Sequence, residues 1–61
     1  MMSDVEFYGE IKWETGKAYL VFDGMNEVWI PKSQVKDSRQ VHENDFEFVI
    51  PEWLAKEKGV I

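Results

Sequence analysis

Apolar and polar residues alternate from Val5 to Trp13. Val5, Phe7, Gly9, Ile11 and Trp13 fall on one side, and Glu6, Tyr8, Glu10 and Lys12 on the other. A period of two predicts a strand with one wet face over residues 5-13. Glu14-Thr15-Gly16 reads as a turn, with Gly16 free to take a positive φ. Residues 17-22 resume the alternation, with Ala18, Leu20 and Phe22 on one face and Lys17, Tyr19 and Val21 on the other. Asp23-Gly24-Met25-Asn26 then carries the Asp-Gly signal of a hairpin.

A third strand is expected over residues 27-35, with Val28 and Ile30 inward and Glu27 and Trp29 outward. Pro31 has no backbone donor, so the strand should end, bulge or lie on an edge there. Lys32 to Val35 reads equally as its extended continuation or as a single helical turn. Residues 36-45 are polar and are expected to form a long loop or hairpin end. A last strand follows over residues 46-50, with Phe46, Phe48 and Ile50 inward and Glu47 and Val49 outward.

The period changes at the C-terminus, where a helix is expected over residues 51-58. Pro51 suits the first helical turn, Glu52 complements the positive end, and Lys56 and Lys58 complement the negative end. Gly59 fits the left-handed position past the end, which lets Val60 fold back toward Leu54 or Ala55. Two turns of helix do not stand alone in water, so this one must dock.

These elements predict one domain over residues 1-61, mainly β. The expected form is a small antiparallel barrel of SH3-like or OB-like shape, or a bent sheet, of 4-5 strands with a short C-terminal helix. A chain of 61 residues buries only about 60% of its unfolded surface. With 15% aromatic residues, a few large rings can still thicken so small a core. Ala18, Leu20, Phe22, Val28, Ile30, Phe46, Phe48 and Ile50 are the expected interior. That leaves Tyr19, Val21, Trp29 and Val49 on the second face, covered either by Trp53 and Leu54 of the helix or by a partner.

Composition narrows the chemistry. There is no Cys, so disulfides and thiolate metal sites are excluded. No apolar run approaches a membrane span, and Met-Met-Ser-Asp-Val-Glu lacks the basic and apolar regions of a signal peptide, so a cytoplasmic location is expected. His42 with Glu43, Asp45 or Asp37 follows no metal-binding spacing. Ser33-Gln34-Val35-Lys36 matches the letters S-x-x-K, but the companion motifs of penicillin-recognising enzymes are missing. No glycine-rich phosphate loop is present, and a barrel this small has little room for a closed pocket. The sequence therefore points away from an enzyme, and no cofactor, metal or small-molecule substrate is expected.

Three stretches together resemble a group of short, uncharacterised proteins encoded by bacteria, bacteriophages and other mobile elements. They are Lys17-Ala18-Tyr19-Leu20-Val21-Phe22-Asp23-Gly24, Trp29-Ile30-Pro31-Lys32-Ser33-Gln34-Val35 and Ile50-Pro51-Glu52-Trp53-Leu54-Ala55-Lys56-Glu57-Lys58-Gly59. The resemblance implies a phage or prophage setting and brings no activity or site residues with it.

The leading functional expectation is a non-catalytic protein-interaction module, acting on a protein partner or on a second copy through an apolar and aromatic surface. Tyr19, Trp29, Lys32 and Trp53 are its expected contact residues. The first alternative is a single-stranded nucleic-acid binder. It would use Tyr8, Trp13, Tyr19 and Trp29 with Lys12, Lys17, Lys32, Lys36 and Arg39, against an unfavourable net charge of −5. The second is an acidic DNA mimic, although the acidic residues form no single run along the chain.

Overall fold

The alternation that begins at Val5 folds as one long strand, β1 (Asp4–Glu14), in a computed structural model that describes residues 3–61. Met1 and Met2, on which the expectation of no signal peptide partly rests, lie outside the described residues. The other elements are β2 (Ala18–Phe22), β3 (Glu27–Pro31), a 3-10 turn (Lys32–Gln34), β4 (Asp37–His42), β5 (Asp45–Pro51) and α1 (Glu52–Lys58). The strands form one antiparallel sheet in the order β3-β2-β1-β5-β4. Of the two forms expected, the open, bent sheet is the one found: β3 and β4 are its edges, and the described residues form no closed SH3-like or OB-like barrel.

β1 holds the sheet together in two halves. Its first part, Asp4 to Glu10, pairs with β5, and its second part, Glu10 to Glu14, pairs with β2. Gly9 lies beside this changeover on the inner face. A Cβ built there would collide with Val21 Cγ1 and lie 3.0 Å from the Phe22 carbonyl oxygen, so only glycine fits the approach. The halves turn toward one another across the core, which brings the ring of Tyr19 from β2 to 5.7 Å from that of Phe48 on β5. Phe48 also stacks on Phe7 at 5.3 Å and on Phe46 at 6.0 Å. Around it are buried Val21, Ile30, Ile50, Leu54 and Ala55.

The structure corrects the expected faces of β2. Val21 is fully buried and Tyr19 packs against the core, whereas Leu20 and Phe22 point outward. The reason is the length of the β2–β3 turn. Four residues lie between Phe22 and its partner Glu27, so Val28 is opposite Val21 and Ile30 opposite Tyr19. A second correction concerns Trp13. A bulge between Ile11 and Trp13 turns the Trp to the outer face, opposite Leu20. The helix therefore covers the face that carries Val21 and Tyr19, and leaves Trp29 uncovered.

Two open readings are decided at the edges. The third strand stops at Pro31, and of the two readings of Lys32 to Val35 the helical turn is the observed one. Of the two readings of residues 36-45, the hairpin is the observed one, with a strand the sequence did not show: β4 and β5 are joined by Glu43 and Asn44, with Glu43 at φ 47°. β4 is exposed along its whole length, so no alternation marked it. The terminal helix forms as expected except at its start, where Pro51 is the extended last residue of β5 and caps the helix instead of lying in its first turn. Gly59 is left-handed at φ 74°, and the Val60 amide donates to the Ala55 carbonyl at 3.0 Å.

Side chains close the turns. At the β1–β2 connection Thr15 Oγ1 accepts the amides of Lys17 and Ala18, and Gly16 keeps a negative φ, contrary to the expectation. At the β2–β3 connection Asp23 Oδ1 accepts the amides of Met25 (2.9 Å) and Asn26 (2.8 Å), while Gly24 takes φ 102°. The amides of Asn26 and Met25 lower the Asp23 pKa below its ordinary 3.8. A carboxylate held this way stabilises the fold fully above its unfolded pKa, and the contribution is lost as pH falls through the folded value. Asp23→Ala should thus lower Tm by a constant amount near neutral pH. In paired melts, the gap to wild type should shrink below about pH 4. A gap that stays constant into strong acid would refute the role.

Candidate outer-face binding surface

The four contact residues expected from sequence do not form one patch. Tyr19 is half-buried in the wall of the core, with Lys32 Nζ 5.0 Å above its ring. Lys32 in turn is 2.5 Å from Glu14 Oε2, so this cation is already engaged. Trp29 is 43% exposed on the opposite face of the sheet. Trp53 is exposed on α1, whose Leu54 and Ala55 face the core.

Trp29 has different company. Leu20 lies directly opposite it on β2, and Trp13 lies opposite Leu20 on β1. Cβ atoms of such opposed pairs are about 5 Å apart, so the three side chains form one apolar row across half the sheet. Trp13 is 65% exposed, and α1 lies behind the other face. Sequence reading missed this row because it placed Leu20 inside and Trp13 on the core face.

The next outer row runs Glu27–Phe22–Glu10–Asp45–His42 across all five strands. Lys12 reaches over it, with Nζ 5.6 Å from the centre of the Phe22 ring and 3.2 Å from Glu10. Beyond lies Tyr8–Glu47–Arg39, where Arg39 pairs with Glu47 at 3.3 Å. The Glu47 carboxylate opposite Tyr8, by hydrogen-bonding and by charge, favours the protonated phenol and raises its pKa above 10.0. A groove of about 460 Å³ crosses these rows, lined by Tyr8, Phe22, Val41 and His42 with Glu10 and Asp45.

The cations that would carry a nucleic-acid reading are mostly engaged. Lys12, Lys32, Lys36 and Arg39 each lie within 4 Å of a carboxylate, leaving only Lys17 of that set without one among the described residues. No group of three or more metal-ligating side chains occurs among the described residues. No helix there is long and apolar enough to cross a membrane. No family model, curated protein or solved structure matches the chain.

Proposed function

We propose that this chain is a small, non-catalytic module that binds a protein partner in the cytoplasm through the outer face of its sheet. In line with the resemblance of residues 17–24, 29–35 and 50–59, it is read as phage- or prophage-encoded. The observation that carries the proposal is the Trp13–Leu20–Trp29 row: two large indoles flank an aliphatic residue on a face that the terminal helix does not cover. Exposed apolar patches of this kind mark interaction surfaces, and Trp is favoured at their centres. The single-stranded nucleic-acid reading has less support: Tyr8, Trp13 and Trp29 share the outer face, but the cations that reach it, Lys12, Lys36 and Arg39, are already paired with Glu10, Asp4 and Glu47. The acidic DNA-mimic reading is a special case of the proposal, in which the partner surface is itself built for phosphates.

Removing both indoles separates binding from folding. Each of Trp13→Ala and Trp29→Ala should cost less than about 1 kcal/mol, because only cross-strand packing with Leu20 is lost. The double variant should stay folded at room temperature, with Tm lowered by no more than about 15 °C, yet recover none of the nuclease-resistant protein that wild type retains from a bacterial lysate. A double variant that retains the same protein would sink the proposal. So would recovery of nucleic acid alone.

A further inference from the structure

We infer that the partner presents a basic segment, and that one of its arginine or lysine side chains enters the groove between Glu10 and Asp45. The inference rests on the proposed use of the outer face and goes further by naming the chemistry of what docks there. The first observation is how charge divides between the faces. Register places Asp4, Glu6, Glu10, Glu27, Asp37, Asp45 and Glu47 on the outer face, against Lys12, Arg39 and Lys36, the last of which pairs with Asp4. The rest of the chain carries the remaining five carboxylates against four lysines. Nearly all of the net charge of −5 therefore belongs to the face with the exposed indoles.

The second observation is local. Glu10 and Asp45 are directly opposed on β1 and β5, an arrangement that destabilises a ladder unless a cation lies between them. Lys12 offsets Glu10, whereas Asp45 has no ion-pair partner among the described residues. Phe22, Tyr8 and Val41 line the same groove and suit the aliphatic stem of a long cationic side chain. Ring faces there and at Trp13 and Trp29 add cation–π attraction. A second copy of this chain is a poor occupant, because it would bring one acidic face against another.

The test uses a blocked peptide alternating arginine and leucine, with citrulline in place of arginine as the uncharged control. Binding is followed by calorimetry, and by emission of a Trp53→Phe variant, in which only Trp13 and Trp29 report. The arginine peptide should bind, shift that emission and weaken as salt rises, and the citrulline peptide should not bind. Asp45→Asn should act in opposite directions on its two readouts. Relief of the like-charge pair should raise Tm by about 1–5 °C, while affinity for the peptide falls roughly tenfold. Glu57→Gln on the helix removes the same charge elsewhere and should leave affinity within about twofold.

Equal losses in Asp45→Asn and Glu57→Gln would show attraction to net charge alone and overturn the inference. So would binding of the citrulline peptide, or an Asp45→Asn variant with unchanged affinity. The two proposals fail separately. A captured protein that survives Glu27→Lys and Asp45→Lys but is lost with the two indoles overturns the basic partner and keeps the interaction face. Retention by the double Trp variant removes the face itself.

Discussion

Phe48→Ala should lose at least about a third of the domain's stability and melt far below wild type. Its ring is fully buried where the two halves of the sheet meet, in contact with Phe7, Tyr19 and Phe46. Truncating a buried Phe costs about 3–5 kcal/mol, the lost transfer energy together with the cavity left behind. A domain of this length holds roughly 3–9 kcal/mol in all. The cavity would have few ways to collapse, because its walls come from three different strands. Circular dichroism at room temperature and a thermal melt are sufficient to check it. A Phe48→Ala protein melting within a degree or two of wild type would mean that the core is not centred on this ring.

Gly9→Val gives the second large effect, and its sign separates two arguments. Local preference favours the change, since valine is a better strand residue than glycine by up to about 1 kcal/mol. The geometry opposes it. The new Cβ meets Val21, which is itself fully buried and β-branched, and the Phe22 backbone oxygen, which no rotamer change can move. The net result should be destabilisation by about 1–3 kcal/mol, read from a denaturant midpoint. Gly9→Ala should behave the same way on a smaller scale, and should cost less in a Val21→Ala background than alone. If Gly9→Val stabilises the protein, β2 does not approach β1 as described.

The inner faces of β1, β3 and β5, the terminal helix and its Gly59 stop were legible in the sequence, because each carries a pattern that burial imposes. What was hidden depended on pairing. The face of β2 follows from the parity of a four-residue turn, and alternation within residues 17–22 looks equally good in either phase because Tyr19 and Val21 are as apolar as Leu20 and Phe22. β4 is exposed on both sides and so leaves no hydrophobic signature at all. Trp13 continued a perfect alternation until a bulge reversed it.

The candidate surface was obscured for the same reason. Of the residues chosen from sequence, only Trp29 belongs to the Trp13–Leu20–Trp29 row, since the other members were assigned inward. The carboxylates of the outer face are interleaved along the chain with core residues, so no acidic run appears. A period of two sorts them onto one side only once the strands are in register.

The division of β1 between its two neighbours also shapes how the chain reaches this structure. Each half can close early through short connections, β1 to β3 by the turns at Thr15 and Asp23, and β4 to β5 by Glu43 and Asn44. Hairpins of this kind form in about 1–10 μs. The ladder that joins the halves pairs Glu10 with Asp45 and Asp4 with Pro51, residues far apart in the chain, and its loop-closure entropy must be overcome before Phe7 meets Phe48. The β1–β5 ladder is therefore the pairing with the largest loop-closure cost in the sheet. Gly9, at the junction of the two halves, sets how closely they can approach.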